Sequence, residues 1–223
     1  EANLAEGYTL GEALNHLEML VREHLSDEAV IDYKGQSRDF IRSGNSIIFV
    51  FVLGLIVVFL VMAAQFESYI HPFVIMLTVP LAMGGGLLGL YLTGSSLNIY
   101  SQIGLIMLVG LSAKNGILIV EFANQLRDQG KRFNRALLEA AEVRFRPIVM
   151  TGLTTIAGSI PLVLASGAGA ETRIVIGIVI LTGVTAATIF TLFIVPVAYS
   201  LMARRTGSPN EVARKIEAEE KKA

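Results

Sequence analysis

Residues 98–127, NIYSQIGLIMLVGLSAKNGILIVEFANQLR, decide the fold class of this chain. The stretch is mostly apolar, and it is long enough to cross a lipid bilayer, since about 20 apolar residues span the hydrocarbon core as a helix. A charged residue, Lys114, lies near its middle. An ammonium at that depth costs at least about 2.5–3.5 kcal/mol, so we expect Lys114 to face protein or water and to have a partner.

Four further stretches share this apolar character. Hydrophobic residues make up 53% of the chain and charged residues 17%, a composition foreign to a soluble domain of this length. The sequence therefore predicts a membrane all-α fold with five transmembrane helices in residues 43–202. The predicted spans are 43–64, 72–93, 98–127, 147–166 and 173–202. Three prolines fall in the interior of these spans, where we expect bends or local openings: Pro80, Pro161 and Pro196.

Residues 1–42 and 203–223 are polar by comparison. Helical spacing of apolar residues from Leu10 to Val21 predicts a helix, and Ala2–Leu4 and Ala29–Tyr33 are each typical of a short strand. This small α+β fragment is too short to form its own core, so we expect it to complete a domain supplied by other residues. Because the chain also begins with Glu1 rather than Met, we interpret it as a piece of a longer protein.

The distribution of Lys and Arg predicts the orientation in the membrane. Basic residues concentrate in the loop between the third and fourth spans and directly after the fifth: Arg127, Lys131, Arg132, Arg135, Arg144, Arg146, Arg204 and Arg205. Basic loops stay on the cytoplasmic side. We therefore expect a multi-pass membrane protein, with residues 1–42 on the side away from the cytoplasm and the C-terminus in the cytoplasm.

Small residues recur in the second and third spans. Gly85 and Gly89 form a GxxxG pair, and Gly110 and Gly116 lie along the third span. Small residues let helix backbones approach closely within a bilayer, so we expect these glycines at helix-packing surfaces.

The partner of Lys114 is absent from this chain. The other four spans contain no Asp or Glu at depth, and Glu121 lies two turns further along the same helix, too far to pair directly. Either Lys114 is neutral because it is desolvated, or a carboxylate comes from helices outside this sequence. We favour the second explanation.

Other kinds of chemistry find no support in the sequence. The chain has no Cys, no phosphate-binding loop, no nucleophile paired with a base and no metal-ligand spacing among its three His. A net charge of −1 gives no case for nucleic-acid binding. We therefore expect neither an enzyme nor a site for a cofactor or metal.

Two segments carry a specific resemblance. Residues 110–123, GLSAKNGILIVEFA, and 144–151, RFRPIVMT, resemble the tenth and eleventh helices of the hydrophobe/amphiphile exporters in the resistance–nodulation–division (RND) superfamily. Residues 64–68, 80–82 and 161–169 agree with it, and residues 7–13 and 32–35 resemble the end of the last periplasmic subdomain. The resemblance implies that the chain is the C-terminal fifth or so of such a transporter.

The resemblance also implies a function and a site. It implies a homotrimeric inner-membrane pump that exchanges protons for drugs and joins a periplasmic adaptor and an outer-membrane channel. The implied proton relay contains Lys114, Arg144 and Thr151, with Asn115 as a weaker candidate. Its two aspartates belong to a helix four that this sequence lacks, so we expect the fragment alone to be inactive. Two alternatives stay open: a non-transporting membrane scaffold, or an RND relative that moves lipid or metal ions.

Overall fold

The computed structural model describes residues 10–25, 30–167 and 169–203, and the regular structure in these residues is helical. The helices are α1 (Leu10–His24), α2 (Gln36–Phe66), α3 (Ile70–Met76), α4 (Thr78–Leu92), α5 (Ile99–Asp128), α6 (Phe133–Val163) and α7 (Ala170–Met202). Five segments are long and apolar enough to cross a membrane: Ile48–Phe66, Ile70–Leu92, Ile99–Asp128, Phe133–Val163 and Ala170–Met202. The prediction of five long apolar helices is confirmed, and the described residues are consistent with a membrane all-α fold.

The second spanning segment is interrupted between α3 and α4. Pro80 has no backbone N–H to donate to the carbonyl of Met76, so the helical ladder loses a bond where α3 ends. Next to the break, the Thr78 hydroxyl donates to the Ile75 carbonyl at 2.7 Å. The helix therefore opens locally near Pro80, as expected. The other two prolines lie inside continuous helices, Pro161 in α6 and Pro196 in α7.

Two helices begin earlier than the apolar spans that they contain. The first predicted span starts at residue 43, whereas α2 begins at Gln36. The fourth starts at Pro147, whereas α6 begins at Phe133 and continues through this proline. Residues 133–146 have a helical apolar pattern of their own, with Ala136, Leu137 and Ala140 buried. Packing of that pattern sustains the helix although Pro147 removes one backbone hydrogen bond.

The α+β character expected of residues 1–42 is not found in the described part of that segment. Residues 30–34 belong to no helix or strand, although the sequence predicted a strand over 29–33. An extended segment becomes a strand only when its backbone groups pair with a neighbour, and the described residues provide none. The other predicted strand, Ala2–Leu4, and the tail 204–223 lie outside the described residues.

Helix α7 lies at the centre of the described helices. It packs against α4, α5 and α6, whereas α2 contacts the bundle mainly through α3 and α5. On α2, Met62 and Phe66 are buried, while most of the apolar surface of this helix is exposed.

The predicted packing glycines lie in different surroundings. A Cβ added at Gly85 would overlap the Cβ of Ala186, and one at Gly89 would overlap the side chain of Thr182, where α4 crosses α7. A Cβ at Gly116 would lie 3.0 Å from Ile75 of α3. Gly110 has no described atom within 4 Å of its Cβ position. The first three glycines thus lie at close helix contacts, and Gly110 faces open space.

Candidate functional site

Lys114 lies on a face of α5 that the other described helices leave uncovered. Six residues of α5 are exposed at intervals that place them along one side of the helix, and we call this face the open stripe. The open stripe consists of Ile103, Met107, Gly110, Lys114, Glu121 and Gln125. The remaining faces of α5 are largely buried against neighbouring helices.

Lys114 has no partner among the described residues. It makes no hydrogen bond or ion pair with any of them, and Glu121, two turns away, accepts from Gln125 at 3.5 Å. Lys114 is also remote from both ends of α5, because 15 residues separate it from Ile99 and 14 from Asp128. At 1.5 Å per residue these separations are roughly 20 Å, far beyond the reach of a lysine side chain. An uncompensated cation therefore lies at mid-span.

Three of the predicted relay residues come together next to the open stripe. Lys114, Asn115 and Thr151 line a small pocket of about 20 Å³ between α5, α6 and α7. This volume suits about one water molecule. Asn115 is only 5% exposed, and its amide makes no hydrogen bond to a described residue. The Thr151 hydroxyl donates to the Ile148 carbonyl of its own helix at 3.1 Å. The pocket is completed by Leu111, Gly152, Thr155 and Val184.

The fourth predicted relay residue, Arg144, lies outside this pocket. Its guanidinium stacks over the ring of Phe122 on α5, with Cζ 4.7 Å from the ring centroid. Its Nε is buried and has no hydrogen-bond partner among the described residues. Seven residues along α6 separate Arg144 from Thr151, roughly 10 Å of helix. The structure therefore places Arg144 beside α5. Arg144 is closer than the pocket is to the end of the bundle where α6 begins, which we call the basic end because Lys131 and Arg132 lie there.

A second polar group, which the sequence analysis missed, lies at that basic end, where α5 and α7 end and α6 begins. It consists of His71, Asn124, Arg127 and Tyr199, and we call it the basic-end cluster. His71 and Tyr199 are fully buried and Asn124 is 4% exposed. The hydroxyl of Tyr199 lies 2.8 Å from Asn124 Oδ1 and 3.3 Å from His71 Nε2. Arg127 Nη1 donates to Asn124 Oδ1 at 3.3 Å and to the Tyr199 hydroxyl at 3.4 Å.

The donors around this cluster determine the direction of its hydrogen bonds. Because Arg127 can only donate, it holds the oxygen, and not the nitrogen, of the Asn124 amide towards itself and Tyr199. Tyr199 then donates its single proton to Asn124 Oδ1. The contact between Tyr199 and His71 consequently requires that His71 Nε2 carries a proton and donates it to the Tyr199 oxygen.

The cluster connects helices that are distant in sequence. His71 and Tyr199 are 128 positions apart, so no local pattern links them. Aromatic rings enclose the cluster: Phe66 meets His71 edge to face at 5.8 Å, and Phe133 stacks on Tyr199 at 5.5 Å. The available sequence signal was weak, because His71 lies one residue before the second predicted span and Asn124 lies near the polar end of the third. Together these contacts tie α3, α5 and α7 at one end of the bundle.

The chain matches the AcrB/AcrD/AcrF family over residues 1–203. Among curated relatives, an uncharacterized transporter of Haemophilus influenzae is 45% identical over 204 residues, which cover 88% of this chain and 20% of that protein. The toluene efflux pump membrane transporter TtgB of Pseudomonas putida is 39% identical, over 92% of this chain and 19% of TtgB. The multidrug resistance protein MdtC of Photorhabdus laumondii is 38% identical, over 93% of this chain and 20% of MdtC.

The chain thus spans about a fifth of the length of the relatives that it matches. The family match nevertheless covers residues 1–203, which include every described helix. The resemblance to RND multidrug efflux transporters is confirmed, and the chain belongs to the AcrB/AcrD/AcrF family.

Proposed function

We propose that this chain forms part of a proton-driven antiporter that exports drugs or other amphiphilic compounds. The observation that carries the proposal is Lys114, an uncompensated cation at mid-span beside a pocket shared with Asn115 and Thr151. Cations within spanning helices are rare and mark ion pathways or proton relays. The relatives TtgB and MdtC are named as an efflux pump and a multidrug resistance protein, which supports export.

The relay is completed by carboxylates from a helix outside this chain, the aspartate-bearing helix four of the family. That helix lies against the open stripe, so that its deprotonated carboxylates pair with Lys114. When a proton neutralises a carboxylate, the ion pair is lost, and Lys114 turns towards the pocket. The ammonium there donates hydrogen bonds to the amide oxygen of Asn115 and to the hydroxyl oxygen of Thr151, directly or through one water.

Burial supplies the energy that makes such a switch effective. Removing one partner from a buried ion pair costs about 3–5 kcal/mol, because the remaining charge is left uncompensated. The helices repack in order to avoid this cost, and the repacking is transmitted to the substrate-binding part of the transporter. Arg144, whose guanidinium stacks over Phe122, lies between the relay and the basic end of the bundle. From there its positive charge stabilises the negative carboxylates.

The remaining parts of the proposal concern location and partners. Residues 1–42 lie in the periplasm and the basic end of the bundle faces the cytoplasm of a bacterial inner membrane, because basic loops stay inside. The complete transporter is a homotrimer that works with a periplasmic adaptor and an outer-membrane channel. Without the carboxylates of helix four, the chain alone does not transport.

The test is to replace Lys114 with Met or Ala in the complete transporter and to measure drug resistance of cells that express it. We expect loss of resistance at normal expression. The matched control is Lys131→Met, which removes the same charge from an exposed lysine that pairs with Glu139 at 2.5 Å. Near-normal resistance in the Lys114 variants would contradict the proposal.

A further inference from the structure

An open groove runs between α6 and α7 on the side of α6 that faces away from α5. Its volume is about 660 Å³, and its walls include Phe145, Leu192 and Phe193. It also contains two charged side chains, Glu142 and Arg146. Arg146 lies two residues after Arg144, about 200° around the helix, so the two arginines face different surroundings. Arg144 is held over Phe122, whereas Arg146 lies in the groove.

The two charges of the groove are available to a ligand. Glu142 and Arg146 are four positions apart on α6, with the acid first, which is the favourable order for an ion pair on a helix surface. They nevertheless form no ion pair with each other, and neither makes a hydrogen bond with a described residue. An ion pair near the start of α6 joins Glu139 to Lys131 of the preceding loop instead. Within the described part of the chain, the groove therefore presents an unpaired anion and an unpaired cation about one helical turn apart.

The depth of these charges is that of lipid head groups. Thr151 and Thr155 share a pocket with Lys114, which is near the middle of α5, and so they mark the middle of the bundle. Arg146 lies five to nine residues from that level along α6, roughly 8–14 Å, and Glu142 roughly 14–20 Å. Half of a bilayer core is roughly 15 Å thick. Arg146 thus lies at the edge of the hydrocarbon region, and Glu142 lies one turn further out.

We propose that this groove binds a phospholipid whose head group carries both a phosphate and a primary ammonium, as phosphatidylethanolamine does. The phosphate accepts hydrogen bonds from the guanidinium of Arg146, which can donate two in parallel. The ammonium, further from the bilayer centre, donates to the carboxylate of Glu142. Phe193 and Leu192 face the upper part of an acyl chain. Arg146, nearer the bilayer centre, has the charge that the phosphate requires, and Glu142, further out, has the charge that the ammonium requires. The groove therefore matches this head group in both the signs and the order of its charges.

The same geometry discriminates against other common head groups. An anionic phosphatidylglycerol has no cation for Glu142 and is repelled by its carboxylate. The quaternary ammonium of phosphatidylcholine has no proton to donate to that carboxylate. The inference does not depend on transport, because it needs only the membrane-embedded α6 and α7. Failure of the relay proposal would leave it standing, and the converse also holds.

The occupant of the groove is identified by photo-crosslinking in the complete transporter. A benzophenone side chain replaces Phe193, the membranes are irradiated, and mass spectrometry identifies the adduct. We expect an adduct with phosphatidylethanolamine, enriched over its share of the membrane lipids. An adduct with another polypeptide segment of the transporter would overturn the proposal, since the groove would then be covered by protein.

Lipid binding to the purified transporter tests the roles of the two charges. Native mass spectrometry compares retention of phosphatidylethanolamine, phosphatidylcholine and phosphatidylglycerol. Arg146→Gln should weaken phosphatidylethanolamine binding roughly tenfold, as expected for loss of a hydrogen bond to a charged group. Glu142→Gln should remove the preference for phosphatidylethanolamine over phosphatidylglycerol. The control Arg135→Gln removes an exposed cation of α6 that does not line the groove and should change nothing. Unchanged selectivity in both groove variants would overturn the proposal.

Discussion

Tyr199→Phe isolates the contribution of the basic-end cluster, because it deletes one hydroxyl and leaves the ring in place. The ring keeps its stacking on Phe133, with centroids 5.5 Å apart. Asn124 Oδ1 keeps Arg127 as a donor at 3.3 Å. His71 Nε2 loses the oxygen to which it donates at 3.3 Å, and His71 is fully buried. The hydroxyl therefore matters chiefly to His71.

The expected cost follows chiefly from this lost hydrogen bond, because Arg127, which donates to the same hydroxyl at 3.4 Å, keeps Asn124 Oδ1 as an acceptor. Removing one partner of a buried hydrogen bond costs about 1–3 kcal/mol. We expect Tyr199→Phe to lower the free energy of unfolding of the purified complete transporter by about this amount. Steric trapping or denaturation in SDS measures it. The matched control is Tyr91→Phe, which removes a hydroxyl from a residue that is 83% exposed and should have little effect.

A double-mutant cycle with His71→Leu tests the assigned direction of the hydrogen bond. If the hydroxyl acts through His71, Tyr199→Phe should cost much less once His71 is absent, with a coupling of about 1 kcal/mol or more. Additive effects, within about 0.5 kcal/mol, would refute the assignment.

Three other substitutions test the packing and the outer segment. Gly85→Ala should destabilise the protein by about 1–3 kcal/mol through overpacking against Ala186, whereas Gly84→Ala, which meets nothing within 4 Å, should be neutral in the same unfolding assay. Gly110→Leu should impair export by the complete transporter if helix four covers the open stripe, and full activity would argue against that cover. The carboxylate of Glu18 accepts a hydrogen bond from the Tyr33 hydroxyl at 2.6 Å and raises the pKa of Tyr33 above 10.0. The contact therefore stabilises the fold below pH 10 and is lost as pH rises through the raised pKa. Ultraviolet titration should show this pKa falling in Glu18→Gln, and an unchanged value would contradict the assignment.

Apolar length and spacing were sufficient to predict the membrane fold. Runs of about 20 apolar residues have few alternatives to a spanning helix, since an unpaired backbone is costly in lipid. The same reasoning was insufficient for residues 30–34, where a strand depends on a partner that local sequence cannot supply. It also placed the start of the fourth helix at Pro147, although burial of Ala136 and Ala140 carries α6 back to Phe133.

The candidate site was predictable only in part, for a related reason. A lysine in an apolar run is conspicuous in any sequence. Asn115 and Thr151 came from the family resemblance, because neither lies at helical spacing from Lys114 on α5. The basic-end cluster depends on His71 and Tyr199 meeting across 128 positions, which only the packing of α3 against α7 decides. Glu142 and Arg146 had the spacing of an ordinary surface pair, and only the structure shows that they remain apart.

The most direct test of the proposed relay is proton movement coupled to substrate in proteoliposomes that contain the complete transporter. An imposed pH gradient should be dissipated faster when substrate is added to the wild-type protein. With Lys114→Met, this substrate-dependent proton flux should vanish while substrate binding is retained, and Lys131→Met should behave as the wild type. Coupled proton flux at the wild-type rate in Lys114→Met would contradict the assignment of Lys114 to the relay.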